Sequence, residues 1–314
     1  MGGRKPVTVL AGGVGAARLL RGLHCLLEPA QLTVIVNTGD DDTFFGLHVS
    51  PDLDTVTYTL AGRVAPRPGW GVRGDSLACL GALARYYPET WFQLGDQDLA
   101  THIFRTERLR RGDSLSTVTG AIAAGHGLRV RLLPMSDDPV RTVVHLRGRG
   151  PVAFQRYLVK GGGRGRVERV EFAGLRRARP ATGVLAAIRE AQIVIIPPSN
   201  PIVSIGPIVG LRGVRPALRT TAARIAAVSP IVGGAPIKGP AHRLLRGLGH
   251  EVSPFGVAQL YRDFVDLFVL DRRDAAHAPR IERLGMRTLV TDTIMTTAAK
   301  SRALAAALLQ EVQA

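Results

Sequence analysis

Apolar residues along this chain fall into short unbroken runs that stop at glycine, proline, asparagine or aspartate. The first, VTVLA (Val7 to Ala11), ends at Gly12-Gly13-Val14-Gly15. AARLLRGLHCLL follows, with Leu19, Leu20, Leu23 and Leu27 at helical spacing and Pro29 as its stop. The next run, LTVIV (Leu32 to Val36), empties into Asn37-Thr38-Gly39. This β, glycine turn, α, β opening predicts the start of a doubly wound sheet.

Further helices are predicted over 77–87, 98–110 and 115–125, the last with Ser114 or Ser116 as N-cap. Strands are expected at 130–133, 142–146 and 167–172, with a flexible basic loop, KGGGRGR, at 160–166. A helix over 184–191 feeds QIVIIPPSNP (192–201), a buried strand ending in a proline-stiffened polar turn. RIAAVSPIVGGAPIKGP (224–240) repeats that pattern, FVDLFVLD (264–271) adds a strand, and the last helix is expected over 298–312. The alternation predicts an α/β, Rossmann-like three-layer sandwich with a mainly parallel sheet. It reads as one unit over 1–314 with a helix-rich insertion around 63–128.

Composition agrees with a large core: of 314 residues, 46% are hydrophobic and 21% charged. No apolar run approaches the roughly 20 residues that span a bilayer. The amino terminus, MGGRKPVTVLAGG, starts basic, but its apolar run is too short for a secretory segment. Cys25 and Cys79, both in helix-like segments, suit packing in a reducing compartment, so a cytoplasmic protein is expected. The net charge of +16 is concentrated: residues 141–250 hold nineteen Lys/Arg and three acids, while the remainder balances at 22 of each. Such an excess fits either a nucleic-acid surface or a field that steers a small polyanion to a pocket. The absence of zinc-finger spacing or RNP-type aromatics favours the small polyanion.

The candidate chemistry lies mainly at the strand ends. After LTVIV come Asp40, Asp41 and Asp42, and ten residues on a second acidic turn follows, Ser50-Pro51-Asp52-Leu53-Asp54. Single acidic turns are commonplace, because Asp and Asn favour turns. Two of them, opposite a glycine loop, suit Mg²⁺ shared with substrate phosphates. The glycine loop breaks the dinucleotide fingerprint, since Arg18 stands where its third glycine belongs, and no Gly-Lys-Ser/Thr follows. Asn200 in PPSNP is either a ligand group or an Asx turn, and Asp98 in WFQLGDQD reads as an N-cap. Trp70 and Trp91 are core residues or stacking platforms for a flat ring.

Read together, LAGGVGAARLLRGL, VNTGDD, GLHVSPDLDTVTYTLAG, WGVRGDS, WFQLGDQDLATHI, PPSNPIVSIGPI and SPIVGGAPIKGPA resemble the 2-phospho-L-lactate transferase family of coenzyme F420 biosynthesis. The matching pieces run in order over nearly the whole chain. The resemblance implies a Mg²⁺-dependent phosphotransferase, active as a homodimer. It would pass the phospholactyl or phosphoenolpyruvyl moiety of a guanosine diphospho-activated donor to the deazaflavin FO and release GMP. Lactyl, enolpyruvyl and glyceryl donors all fit this pattern. Asp54 matches an FO-binding position, and Gln93 matches a second one that often carries a basic side chain. Asp42 and Phe44-Phe45 depart from the family's sequence after GDD. No γ-glutamyl ligase domain follows, so glutamylation is expected from another protein.

On this reading Asp40 and Asp41 hold the metal, and Asp40 and Asp54 are the catalytic residues. Asp54 would orient the FO hydroxyl and accept its proton. Gly12, Gly13 and Gly15 would cradle phosphate, with Asn37, Ser199 and Asn200 near the guanosine diphosphate. Two other readings stand beside it: a nucleotide-sugar-binding regulatory protein of the same superfamily, and a nucleic-acid binder acting through 141–250.

Overall fold

Strand residues buried on both faces need cover on both sides, and the chain supplies it. The computed structural model describes residues 5–67 and 69–313, so the basic start at 1–4 lies outside the described residues. Its strands in chain order are β1 (Val7–Ala11), β2 (Leu32–Val36), β3 (Asp42–Phe44), β4 (Leu47–Val49), β5 (Arg131–Pro134), β6 (Arg141–Leu146) and β7 (Gly150–Ala153). There follow β8 (Val167–Ala173), β9 (Ile193–Ile196), β10 (Arg224–Val228), β11 (Ile231–Val232), β12 (Ala235–Pro236), β13 (Leu267–Asp271) and β14 (Arg287–Thr291). Seven of them form the central sheet in the order β14-β13-β10-β9-β1-β2-β5, every pair parallel. Side chains alternate between two cores: Leu10, Ile35, Val194 and Ile196 enter one, and Val9, Val34, Ile193 and Ile195 the other. This is why the strands read as continuous apolar runs.

Strand order reverses between β1 and β9, so the loops after Ala11 and Ile196 part and open a crevice at the carboxyl edge. Between β2 and β5 lie the β3–β4 hairpin and helices α2 (Pro51–Leu60), α3 (Ala78–Leu83), α4 (Asp96–Arg110) and α5 (Leu115–Gly125). The second acidic turn is therefore no turn: Asp52 and Asp54 sit in the first turn of α2, which Pro51 opens. Phe45, at φ 52°, and Gly46, at φ 77°, close the β3–β4 hairpin. Ser114 caps α5 by accepting from the Thr117 amide, whereas Ser116 donates to Asp137. Strand β6 does not join the central sheet; it pairs antiparallel with β7 and β8. Cys25 and Cys79 are exposed, which corrects the expectation that they pack inside. No helix among the described residues is long and apolar enough to cross a membrane.

Helix α1 (Val14–His24) lies against the C-terminal helix (Ala298–Gln313), and Gly22 sets their separation. A Cβ there would stand 2.2 Å from the Ser301 carbonyl oxygen. Gly22→Ala should lower unfolding free energy by about 1–3 kcal/mol through this overpacking, despite alanine's better helix propensity. Urea denaturation of the two proteins checks it, and equal midpoints would refute the close contact.

Candidate active site

A cavity of about 720 Å³ opens at the point where the strand order reverses. Its wall takes Gly13, Gly15 and Arg18 from the start of α1, Pro198 to Asn200 from the turn after β9, and Asp40 from the loop after β2. Asp52, Asp54 and Tyr58 come from α2, and Asp98 and His102 from α4. Trp70, Trp91, Phe92, Phe154 and Leu158 give it a broad apolar side suited to a flat ring. Phe92 is itself held by stacking on Phe44, with centroids 3.8 Å apart.

Sequence spacing gives Asp40 and Asp41 as neighbours, yet their side chains have different settings. Asp40 belongs to the cavity wall, and its Oδ1 is buried without a hydrogen-bond partner among the described residues. Burial, then repulsion from Asp52 and Asp41, holds its carboxyl well above the ordinary carboxylate range. Asp41 is not in the wall; its Oδ2 accepts from Ser50 Oγ at 2.7 Å and lies 3.1 Å from His48 Nε2, while its Oδ1, like that of Asp40, has no hydrogen-bond partner among the described residues. Asp52 replaces it as the second cavity carboxylate. Burial raises Asp52 to about 7 against a hydrogen bond from Asn37, with Asp41 and Asp54 adding repulsion. Two buried carboxylates raised in this way, one with an orphaned oxygen, make a donor set that fits a hard divalent cation.

Asp54 has a cation of its own. Arg105, only 1% exposed, reaches across from α4 and donates to both Asp54 oxygens, one of them at 3.1 Å. The guanidinium can only donate, so the contact of Arg105 Nη1 with His102 Nδ1, at 3.2 Å, makes that nitrogen an acceptor. The imidazole proton is then on Nε2, 3.2 Å from Asp98 Oδ1. Tyr58 donates to the same Asp98 oxygen at 2.7 Å. Asp98 is therefore no N-cap: Gly95 holds that position, and Asp98 is a buried part of the network. Ligand atoms of Asp54, Asp98 and His102 lie within 4.8 Å of one another, but Arg105 already supplies the positive charge that a metal would bring.

The remaining candidates are divided by the fold. Gly12 is outside the wall and is required for packing, since a Cβ would meet Ser204 Cβ at 2.4 Å. Gly15 abuts the Pro198 carbonyl, and Gly13 leaves room for Asp52 Oδ1, at 2.8 Å from where its Cβ would be. Asn37 is also outside the wall; its amide donates to Asp52 Oδ2 at 2.9 Å and so aims that carboxylate. Ser199, Asn200 and exposed Gln93 line the cavity, and Asn200 Oδ1 accepts from the Ile202 amide in an Asx turn. Trp70 and Trp91 are both in the wall, and Arg156 sits 5.7 Å over the Trp91 ring. Of the nineteen basic residues in 141–250, Lys238 alone reaches the cavity, so the charge excess is not a lining of this pocket. The second acidic turn offers Asp52 from sequence alone, whereas Arg105, His102 and Tyr58 have no role there. Asp52, Tyr58 and His102 lie within the two stretches that carry the family resemblance, and Arg105 follows the second of them by two residues.

Fold and site together define a class: a Rossmann-like α/β protein with buried carboxylates and a glycine-led helix facing one crevice. The family described as 2-phospho-L-lactate transferase CofD matches residues 7–308. The chain belongs to that family, whose members are transferases of coenzyme F420 biosynthesis. A 2-phospho-L-lactate transferase of Methanosarcina acetivorans is 42% identical over 95% of this chain and 96% of its own length. A phosphoenolpyruvate transferase of Streptomyces griseus is 43% identical over 98% of this chain and 99% of its own. Among solved structures, a UPF0052-family protein of Bacillus halodurans superimposes with a TM-score of 0.65 at 16% identity. That overlay covers 98% of this chain and 99% of the other, and it shows the shared fold.

Proposed function

We propose that this chain transfers a phospholactyl or phosphoenolpyruvyl group from a guanosine diphospho-activated donor to the deazaflavin FO, releasing GMP. One observation carries the reading: a cation-ready pair, Asp40 and Asp52, shares a cavity with an aromatic wall and with Asp54 clamped by Arg105. Family membership and the two kinds of relative support it. The FO hydroxyl oxygen forms a bond to the transferred phosphorus, and the bond from that phosphorus to the GMP oxygen breaks. GMP leaves with the electron pair, and the hydroxyl proton passes to Asp54. Such a reaction asks the protein chiefly for in-line placement and charge neutralisation. Asp40 and Asp52 would hold Mg²⁺, with Asp41 behind them, and the ion would neutralise the donor phosphates. Asn37 aims Asp52, Arg105 fixes Asp54, and the aromatic wall holds the deazaflavin ring and excludes water.

Mass analysis after incubation with FO, Mg²⁺ and either the lactyl or the enolpyruvyl donor tests this. The expected result is one FO adduct with stoichiometric GMP, and its mass names the acid. No adduct from either donor, with no binding of FO, would sink the proposal.

The acidic cluster also has a pH signature. Asp52 rises from 3.8 to about 7 on folding, so its contribution to stability is full below the ordinary carboxylate range and is lost as pH climbs towards 7. The melting temperature of the metal-free protein should therefore fall more steeply between about pH 4 and about pH 7 than that of Asp52→Asn. Mg²⁺ should restore more of it at the upper end. Parallel slopes for the two proteins in differential scanning fluorimetry would contradict this.

A further inference from the structure

The cavity takes only Lys238 from the basic excess of residues 141–250, and the fold gathers part of the rest at one end of the β6–β7–β8 sheet. The turn between β6 and β7 is Arg147-Gly148-Arg149, and the chain that enters β8 is Gly163-Arg164-Gly165-Arg166. These two arginine–glycine segments lie side by side, since the Arg147 amide donates to the Arg166 carbonyl at 2.9 Å. The helix Ala241–Gly247 packs against the same end and brings Arg243 and Arg246; a Cβ on Gly247 would stand 2.4 Å from the Val167 carbonyl oxygen. Burial, then the charges of Arg243 and Arg246, holds the His242 imidazole below its ordinary value. The basic loop, expected to be flexible, is fastened instead. Arg243 Nη1 donates to the Gly163 carbonyl at 2.7 Å, and a Cβ on Gly165, at φ 108°, would touch Leu146 at 3.4 Å. Arg149, Arg164, Arg166 and Arg246 are exposed, and among the described residues none of them forms an ion pair. Glu168 stands 3.8 Å from Arg147, an exposed pair of the kind that contributes little.

Like charges held together on fastened segments repel one another, and an anionic partner relieves that repulsion. We propose that this end of the small sheet is a docking surface for the phosphate backbone of double-stranded DNA, independent of the transfer reaction. Guanidinium groups pair bidentately with phosphate oxygens. Backbone contact needs no base-reading motif, so the lack of zinc-finger spacing and RNP-type aromatics does not bear on it. Among the described residues, the exposed large apolar side chains all lie outside the turn, the loop and the helix that build this surface. A protein partner calls for an apolar centre to its interface, and a single strand calls for aromatic platforms on which bases stack. A membrane holds a purely basic segment by only about 1 kcal/mol per residue, and firm attachment adds an apolar face or a lipid. The duplex asks for neither, because it presents one charge per about 1.7 Å of its axis.

Fluorescence anisotropy of a short labelled DNA duplex of mixed sequence, titrated with the full chain between about 50 and about 200 mM salt, tests the surface. Binding should be micromolar at the lowest salt and weaken with a log–log slope near −4, about 0.9 for each of four or five phosphates. Arg149→Gln/Arg164→Gln/Arg166→Gln should flatten that slope by about 2–3 and weaken binding at least about tenfold at the lowest salt. The control, Arg63→Gln/Arg129→Gln/Arg302→Gln, removes the same charge from exposed positions beside the core on the other side of the central sheet. It should change the slope by less than about 1. Arg149→Gln alone, at the exposed hairpin tip, should take about 1 from the slope, which keeps a test available if the first triple variant fails to fold. Equal losses in the two triple variants would reduce the effect to general charge and overturn the surface. So would a parent protein that binds no duplex, including one that binds anionic phosphatidylglycerol vesicles instead.

Discussion

Replacing Arg105 with methionine should cost about 3–5 kcal/mol of stability and abolish transfer to the acceptor. The size follows from what is left behind. Asp54 is 6% exposed, and both of its oxygens accept from this one guanidinium. Without it a carboxylate stays buried with no counter-charge, and His102 Nδ1 loses its donor as well. Against a typical total of about 5–15 kcal/mol, such a loss leaves little margin. The partner test separates charge from shape. Asp54→Asn alone leaves Arg105 buried and unpaired, so it too should be unstable. The double variant Arg105→Met/Asp54→Asn removes both charges and should be more stable than the sum of the single losses allows. It should nevertheless stay inactive if, as proposed, Asp54 is the carboxylate that anchors the acceptor. Chemical denaturation of the four proteins gives the coupling energy; additive losses would mean that the two side chains do not depend on each other.

Asp40→Asn should behave in the opposite way and stabilise the metal-free protein while removing activity. Burial, then the charges of Asp52 and Asp41, raises the Asp40 carboxyl, so holding it ionised at neutral pH costs folding free energy. An amide of the same shape avoids that cost, and the gain should be about 1 kcal/mol or more. Turnover should fall on the order of a thousandfold or more, as for loss of a ligand to the ion that would neutralise the phosphate charge. A residue whose removal raises stability and ends activity is retained for function. Thermal melts without metal and GMP-release rates with Mg²⁺ provide the two readouts. Destabilisation together with full activity would leave Asp40 a structural residue.

The two variants also show how far the chain could be read without its fold. The expected helix at 115–125 matches α5 residue for residue, because Ser114 supplies a local cap and the apolar spacing is helical. The expected helix at 77–87 shrinks to Ala78–Leu83, a segment that is mostly exposed and has little tertiary packing to extend it. SPDLDT looked like a turn because proline and aspartate mark both turns and first helical turns, and local residues do not separate the two. Asp98 reads as a cap for the same local reason, whereas a tyrosine forty residues earlier holds it inside. Among the aspartates, VNTGDD marks the right loop but not the contacts of Asp41 with His48 and Ser50, which arrive only once the β3–β4 hairpin folds back.

Patterning along the chain therefore determined the α/β class, the strand ends that carry chemistry and, through VNTGDD and SPDLDT, the family. Those features depend on local order: apolar runs, turn residues and motif spacing. Tertiary structure alone decided that β1 and β9 are neighbours and that Asp52 rather than Asp41 joins Asp40. It also paired Asp54 with an arginine 51 residues away. Each of these is a contact between segments far apart in sequence. Its existence depends on strand order and on which side chains burial leaves unpaired, and neither is written in the spacing of any single motif.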